Sequence, residues 1–182
     1  NEFAKEFAIG ERTEEFIAGK DAPKDLLLYI DEVSNNYGIS PLLVRSIIQA
    51  ESNCNQDAVS QCGAAGLTQL IPSTARARGL KVPVYQFEWC PDEQNTNCKL
   101  NNKKVQVSAC NACNKNACDK LNDERFDPKK AIEASVKYLA YIKLELAKAG
   151  MEATPANIAA AYNQGEGAVK SCKCIPPGEA TV

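Results

Sequence analysis

Apolar residues recur at three- and four-residue steps in several stretches of this chain, and recognisable start and stop signals bound most of them. Leu26, Leu27, Ile30 and Val33 share one face of a predicted helix that Asp21 would cap and Gly38 would end. Ser40-Pro41 opens the next helix, with Ser40 as cap and Pro41 at the first helical position. Leu43, Ile47 and Ala50 recur on its predicted buried face, and the helix delivers Glu51 at its C-terminal end. Pro72-Ser73 starts a short helix that stops near Gly79. Asp127-Pro128 is a strong start for a long one, carrying Ile132, Val136, Leu139, Ile142 and Leu146 as far as Gly150. Thr154-Pro155 repeats that signal for a last core helix through Ile158, Ala161 and Tyr162.

The intervening segments have other textures. Residues 53–71 are small and glycine-containing, with an alternating Ala58-Val59-Ser60, which predicts a short hairpin or extended loops and then a turn from Leu67 to Leu70. Residues 1–20, with Phe3, Phe7, Ile9, Phe16 and Ile17, suit an amphipathic N-terminal extension of one or two short helices. Residues 81–126 show little periodicity and are too polar to build a core without covalent or metal staples. The expected class is α+β, predominantly helical. A main domain over 21–171 contains a cysteine-rich insertion at 81–126, and a tail or linker follows at 172–182.

Composition narrows the chemistry. The 182 residues are 45% hydrophobic and 24% charged, enough for one domain with a real core and too apolar for a disordered chain. No apolar run approaches the roughly 20 residues of a membrane span. A net charge of −2 argues against a nucleic-acid binder. Histidine is absent, which removes Ser-His-Asp and Cys-His catalysis, histidine-containing zinc sites and a histidine general base. Asn1 opens the chain without Met or a signal peptide, and Pro176-Pro177-Gly178-Glu179 resembles the start of a linker, so an excised piece of a longer protein is expected.

Nine cysteines stand at 54, 62, 90, 98, 110, 113, 118, 172 and 174. They fit disulfides in an oxidising compartment or thiolate ligands of a metal. The odd count leaves at least one thiol outside any intrachain pair. Cys110-x-x-Cys113 looks like half of a zinc knuckle, without a second close pair to complete it.

Glu51 is the residue with the clearest chemical placement. A carboxyl at the end of an apolar helix, under the negative end of the helix dipole, is expected to stay protonated near neutral pH, as a general acid must. Alone, such a Glu is more often a solvated helix end. Its surroundings change that reading. Glu51-Ser52, Ala58-Val59-Ser60, Gly63-Ala64-x-Gly66-Leu67-x-Gln69 and Pro72-x-Thr74-Ala75 resemble the catalytic domain of the soluble-lytic-transglycosylase type, with its goose-lysozyme-like fold. Ala160-Ala161-Tyr162-Asn163-Gln164-Gly165-x-Gly167 looks like that family's Ala-Tyr-Asn block and glycine turn. Asp127-Pro128, Ile132, Tyr138 and Leu139 resemble the helix joining the two blocks. The likeness covers 22–80 and 127–171.

The resemblance implies a lysozyme-like fold and one catalytic acid/base, Glu51. It implies that Ser60 and Gln69 line the sugar groove, that the Tyr162 hydroxyl points at the catalytic carboxyl, and that Asn163 is its neighbour in the substrate site. Thr68 and Ile71 stand where the family has Met, Cys54 replaces an aromatic or apolar residue, and Gln56 replaces Pro. Cys54 and Cys62 flank the loop and suggest a disulfide pinning it, with pairing to the insertion as the alternative. With one carboxylate instead of two, the implied reaction is cleavage between N-acetylmuramic acid and N-acetylglucosamine with closure of a 1,6-anhydro ring. Peptidoglycan glycan strands would be the partner and no cofactor or metal is expected. The location would be extracytoplasmic, where disulfides outrank zinc, and the cysteine-rich segment is a candidate docking point for a cell-envelope assembly partner. The alternatives are a goose-type hydrolytic lysozyme, in which Glu166 could activate water, and a non-catalytic glycan-binding or assembly module. Trp89, Phe87 and Tyr85 could stack on sugars, but packing beneath the insertion is preferred.

Overall fold

The computed structural model describes residues 24–60, 63–85, 110 and 115–164. The helices among them are α1 (Lys24–Asn36), α2 (Pro41–Ser52), α3 (Pro72–Ala77), α4 (Pro128–Lys148) and α5 (Pro155–Gln164), with short 3-10 turns at Lys115–Ala117 and Glu124–Phe126. The fold is mostly helical and lysozyme-like. Its β component, among the described residues, is two isolated antiparallel bridges, Val59 with Ala65 and Ala65 with Leu70.

Helix α4 is the axis of the core. Asp127 accepts the Lys130 N–H at 3.0 Å and Pro128 follows at the first position, so the start is capped as its sequence demands. Ile132, Val136, Leu139, Ile142 and Leu146 are all fully buried along one face. Ile30 and Val33 of α1, Val44, Ile47 and Ile48 of α2 and Ile158, Ala160 and Ala161 of α5 pack with them in one cluster. Gly150 ends the helix with φ +71. In α5 the Thr154 hydroxyl accepts the Asn157 N–H at 3.1 Å, completing the second predicted start.

Helix α2 departs from expectation in two details. Ser40 sits at the cap position in extended conformation, but its side chain makes no capping bond; Pro41, which needs no acceptor, supplies the start. Ala50 is exposed, and the buried face runs through Val44, Ile47, Ile48 and Ser52 instead. The helix is rotated so that its larger aliphatics, not its alanine, meet α4. It ends on two consecutive left-handed residues, Asn53 (φ +51) and Cys54 (φ +60), with the Asn53 N–H donating to Gln49 O at 3.0 Å.

That reversal settles Cys54. It is a free thiol, so the Cys54–Cys62 pairing is not formed. The left-handed turn folds its side chain back on α2, where Sγ donates to Gln49 Oε1 at 3.4 Å and packs on the core cluster. Burial pushes the thiol pKa up, keeping it protonated. The disulfide among the described residues is Cys110–Cys118, with Cys110 buried against Val59, Ala65 and Phe126.

Both ends of the segment 81–126 are tied to the helical body. Glu124 N donates to Lys81 O at 2.9 Å, Lys81 N to Glu124 Oε2 at 2.6 Å, and Arg76 to the carbonyls of Val82 and Pro83. Tyr85 packs inward, as preferred. The N-terminal extension with Asp21, the cysteines at 62, 90, 98, 113, 172 and 174, Phe87, Trp89, the Gly165–Gly167 turn with Glu166 and the tail lie outside the described residues.

Candidate active site

Glu51 stands half-buried in the last turn of α2, one residue before the buried Ser52. The chain then doubles back through a compact loop. Asn55 N donates to Ser52 O and Ala58 N to Asn55 O, at 3.0 and 3.1 Å, turning the strand-like residues 58–60 alongside 64–66. Ser60 closes this small hairpin twice: its N–H donates to Ala64 O at 2.8 Å and its Oγ accepts the Ala64 N–H at 2.9 Å. Gly66 N reaches Ala58 O at 2.9 Å, and Ala65 N reaches Leu70 O at 3.3 Å.

Gln69 adopts φ +48, the left-handed region that a non-glycine residue enters at a cost. Its amide offsets this by donating to Ala58 O (3.1 Å) and Gly66 O (2.9 Å). Ser60 and Gln69 therefore lie on one loop and both help to close it. The turn between Gly66 and Gln69 drives Leu67 into the main core and buries Thr68 fully, with Thr68 Oγ1 donating to Ala131 O of α4 at 3.4 Å. A side chain at position 68 consequently faces α4.

The second motif block arrives on α5. Tyr162 O–H donates to Thr68 O at 2.7 Å, and Ser135 Oγ lies 3.0 Å from the same phenol oxygen. A carbonyl only accepts, so the phenol's single proton goes to Thr68 and Ser135 is the donor to Tyr162. Burial above all pushes the Tyr162 pKa up, opposed by the Ser135 hydrogen bond and reinforced by the charge of Glu51. Glu51 and Tyr162, far apart in sequence, are thus close enough to feel each other. The Tyr162 ring packs on Tyr138 at 5.4 Å between centroids. Asn163 follows on the last turn of α5, exposed. Among the described residues no group of His, Cys, Asp or Glu is placed to hold a metal.

Three residues essential to this geometry escaped sequence reasoning. Arg125 and Asp123 form a fully buried ion pair at 2.6 Å, and Arg125 Nη1 also donates to the carbonyls of Gly63 (2.7 Å) and Leu70 (3.2 Å). The available signal was an acid and a base two residues apart, next to Phe126 and directly before the Asp127-Pro128 start. Ser135, on the buried face of α4 at helical spacing from Ile132 and Leu139, was the other legible clue.

Comparison with known proteins is decisive here: the transglycosylase SLT domain family model matches residues 28–102 and 105–176. The chain belongs to this family. The match runs through most of the cysteine-rich segment as well as both motif blocks. Among curated relatives, the chain is 30% identical over 145 residues to the membrane-bound lytic murein transglycosylase C of Mannheimia succiniciproducens, covering 79% of this chain and 32% of that protein. It is 41% identical over 51 residues to a transglycosylase of Enterobacteria phage PRD1, covering 28% of this chain and 19% of that protein. The chain therefore spans less than a third of either relative.

Within an SLT domain, Tyr162 offers a direct test of how the two blocks are joined. Tyr162→Phe keeps the ring and removes the hydroxyl, taking one buried hydrogen bond from Thr68 O and one from Ser135. A loss of about 1–3 kcal/mol is expected in urea unfolding, the cost of leaving buried polar groups without their partner. Unchanged stability would mean that the phenol contributes nothing to holding α5 against the 66–69 turn.

Proposed function

We propose that this SLT domain is an extracytoplasmic lytic transglycosylase module that cleaves the β-1,4 linkage between N-acetylmuramic acid and N-acetylglucosamine in peptidoglycan. The observation that carries the reading is that Glu51, at the end of α2, lies within electrostatic reach of the half-buried Tyr162 of α5, whose hydroxyl bonds Thr68 O beside Gln69. Two relatives named as transglycosylases, one of them a murein enzyme, support the same assignment. The Cys110–Cys118 disulfide supports a location outside the reducing cytoplasm.

Glu51 acts first as acid, giving its proton to the glycosidic oxygen as the C1–O bond breaks. The substrate's acetamido oxygen stabilises C1. Glu51, now a carboxylate, takes the proton of the C6 hydroxyl as that oxygen bonds to C1, which closes the 1,6-anhydro ring and consumes no water. Proton count returns Glu51 to its starting state. Tyr162 suits this cycle. Its proton is committed to Thr68 O, so the phenol anchors α5 to the 66–69 turn and leaves the proton transfers to Glu51. Ser60, Gln69 and Asn163 are assigned to the sugar groove.

Mass spectrometry of purified peptidoglycan digested by the domain tests the reading. Glycan fragments ending in 1,6-anhydro-N-acetylmuramic acid are expected. Reducing N-acetylmuramic acid ends would show that water attacks C1, and would make the domain a hydrolytic lysozyme. No cleavage by the folded, oxidised protein would leave a glycan-binding module.

A further inference from the structure

The Asp123–Arg125 pair is the most heavily bonded polar group in the described core, and the cleavage chemistry above makes no use of it. Arg125 is 1% exposed. One edge of its guanidinium faces Asp123, through Nε at 2.9 and 3.2 Å and Nη2 at 2.6 Å. Its remaining nitrogen, Nη1, faces backbone and bonds the carbonyls of Gly63 and Leu70, from opposite ends of the loop that carries Gln69. A point charge such as lysine cannot serve both a carboxylate edge and a carbonyl pair. The grip continues on the other side of the loop, where a Cβ on Gly66 would lie 1.9 Å from the Arg125 carbonyl oxygen.

We propose that Arg125 is a positioning residue, whose guanidinium, held by Asp123, fixes the 63–70 loop so that Gln69 keeps its left-handed conformation in the glycan groove. This rests on the reading of that loop as glycan-binding. The cysteine-rich segment completes the brace. Tyr85 O–H donates to Asp123 Oδ2 at 2.9 Å and accepts the Asp119 N–H at 3.2 Å, next to Cys118 and its bridge to Cys110. The Tyr85 pKa is pushed up to about 12, by burial first and then by Asp123, so it remains a donor at every physiological pH. A buried ion pair is weak ground for stability, since apolar replacement of both partners is often neutral. Its value here lies in the carbonyls it holds.

The test compares Arg125→Lys and the double variant Asp123→Asn/Arg125→Met with wild type. The double variant removes both buried charges, keeps a hydrogen-bonding group opposite Tyr85 and carries the test if Arg125→Lys does not fold. Amide hydrogen exchange is read at Ala65, Gly66 and Gln69, with the α4 amides as reference, and kcat and KM are read on isolated glycan strands. The expected result is exchange at least about tenfold faster in the loop with α4 unchanged, and KM raised about tenfold with kcat within about threefold. Loop protection equal to wild type overturns the proposal, as does faster loop exchange with KM unchanged. If wild type itself cleaves no glycan, the functional reading fails on its own, and the exchange measurement still decides whether Arg125 holds the loop.

Discussion

Glu51→Gln is expected to lower the rate of glycan cleavage by at least about 10³-fold while leaving the domain folded. Positioned acid–base groups contribute about 10²–10⁴-fold, and here one carboxyl serves both proton transfers, so both are lost at once. Two other acids of the matching motif segments are engaged elsewhere. Asp57 is exposed and paired with Lys120 at 2.7 Å, and Asp127 caps α4 through the Lys130 N–H. Neither offers a substitute proton. Stability should change little, because a neutral amide of nearly the same shape replaces the half-buried, protonated carboxyl in the last turn of α2. The measurement is release of soluble fragments from purified peptidoglycan, with thermal unfolding in parallel. Activity above a tenth of wild type in the folded variant would remove Glu51 from the acid/base role.

Glu51 could be placed from sequence because helices report themselves through periodicity and ends. Pro41 sets the start of α2, the apolar steps set its face, and Glu51 falls in the final turn whichever residue is taken as the last. The same physics made α4 legible from Asp127 to Gly150, since a capped start and a five-residue apolar ladder leave few alternatives. The orientation of α2 was less legible: Leu43, Ile47 and Ala50 share a face with Val44 and Ile48 to within a small rotation, and only packing against α4 selects between them. Cys54 failed for a related reason. Loop cysteines eight residues apart suggest a bridge, but the left-handed pair Asn53 and Cys54 turns the thiol toward Gln49.

The clamp on the loop was illegible for a different reason. Asp123, Arg125 and Tyr85 act through side-chain bonds to one another and to irregular backbone, which leave no period in the sequence. A buried arginine looks like a surface one until the carbonyls of Gly63 and Leu70 are seen beside it. The polar composition of 81–126 thus concealed an internal role for its two ends, where Lys81 and Glu124 exchange hydrogen bonds and Phe126 packs on Val59 and Ala65.

Gly66→Ala is expected to be the most damaging small substitution in the domain, and Gly79→Ala separates its causes. Both glycines hold left-handed backbone, with φ +78 at Gly66 and φ +94 at Gly79. The backbone penalty for an L-residue there is about 1–2 kcal/mol at either site. At Gly79 nothing lies within 4 Å of an added Cβ, so that penalty should be nearly the whole effect. At Gly66 the Cβ would meet Arg125 O at 1.9 Å and Arg125 C at 2.9 Å, and backbone cannot rotate aside as a side chain does. Relief requires the loop or the Arg125 segment to move. Moving the loop breaks Gly66 N to Ala58 O and the two Gln69 bonds to Gly66 O; moving Arg125 releases Gly63 and Leu70. A loss of about 4 kcal/mol or more is therefore expected for Gly66→Ala, in the range reserved for a named structural failure. Urea unfolding of the two variants measures both. Equal losses would show that the close approach of Gly66 to Arg125 yields cheaply, and would leave backbone conformation as the sole demand for glycine in the loop.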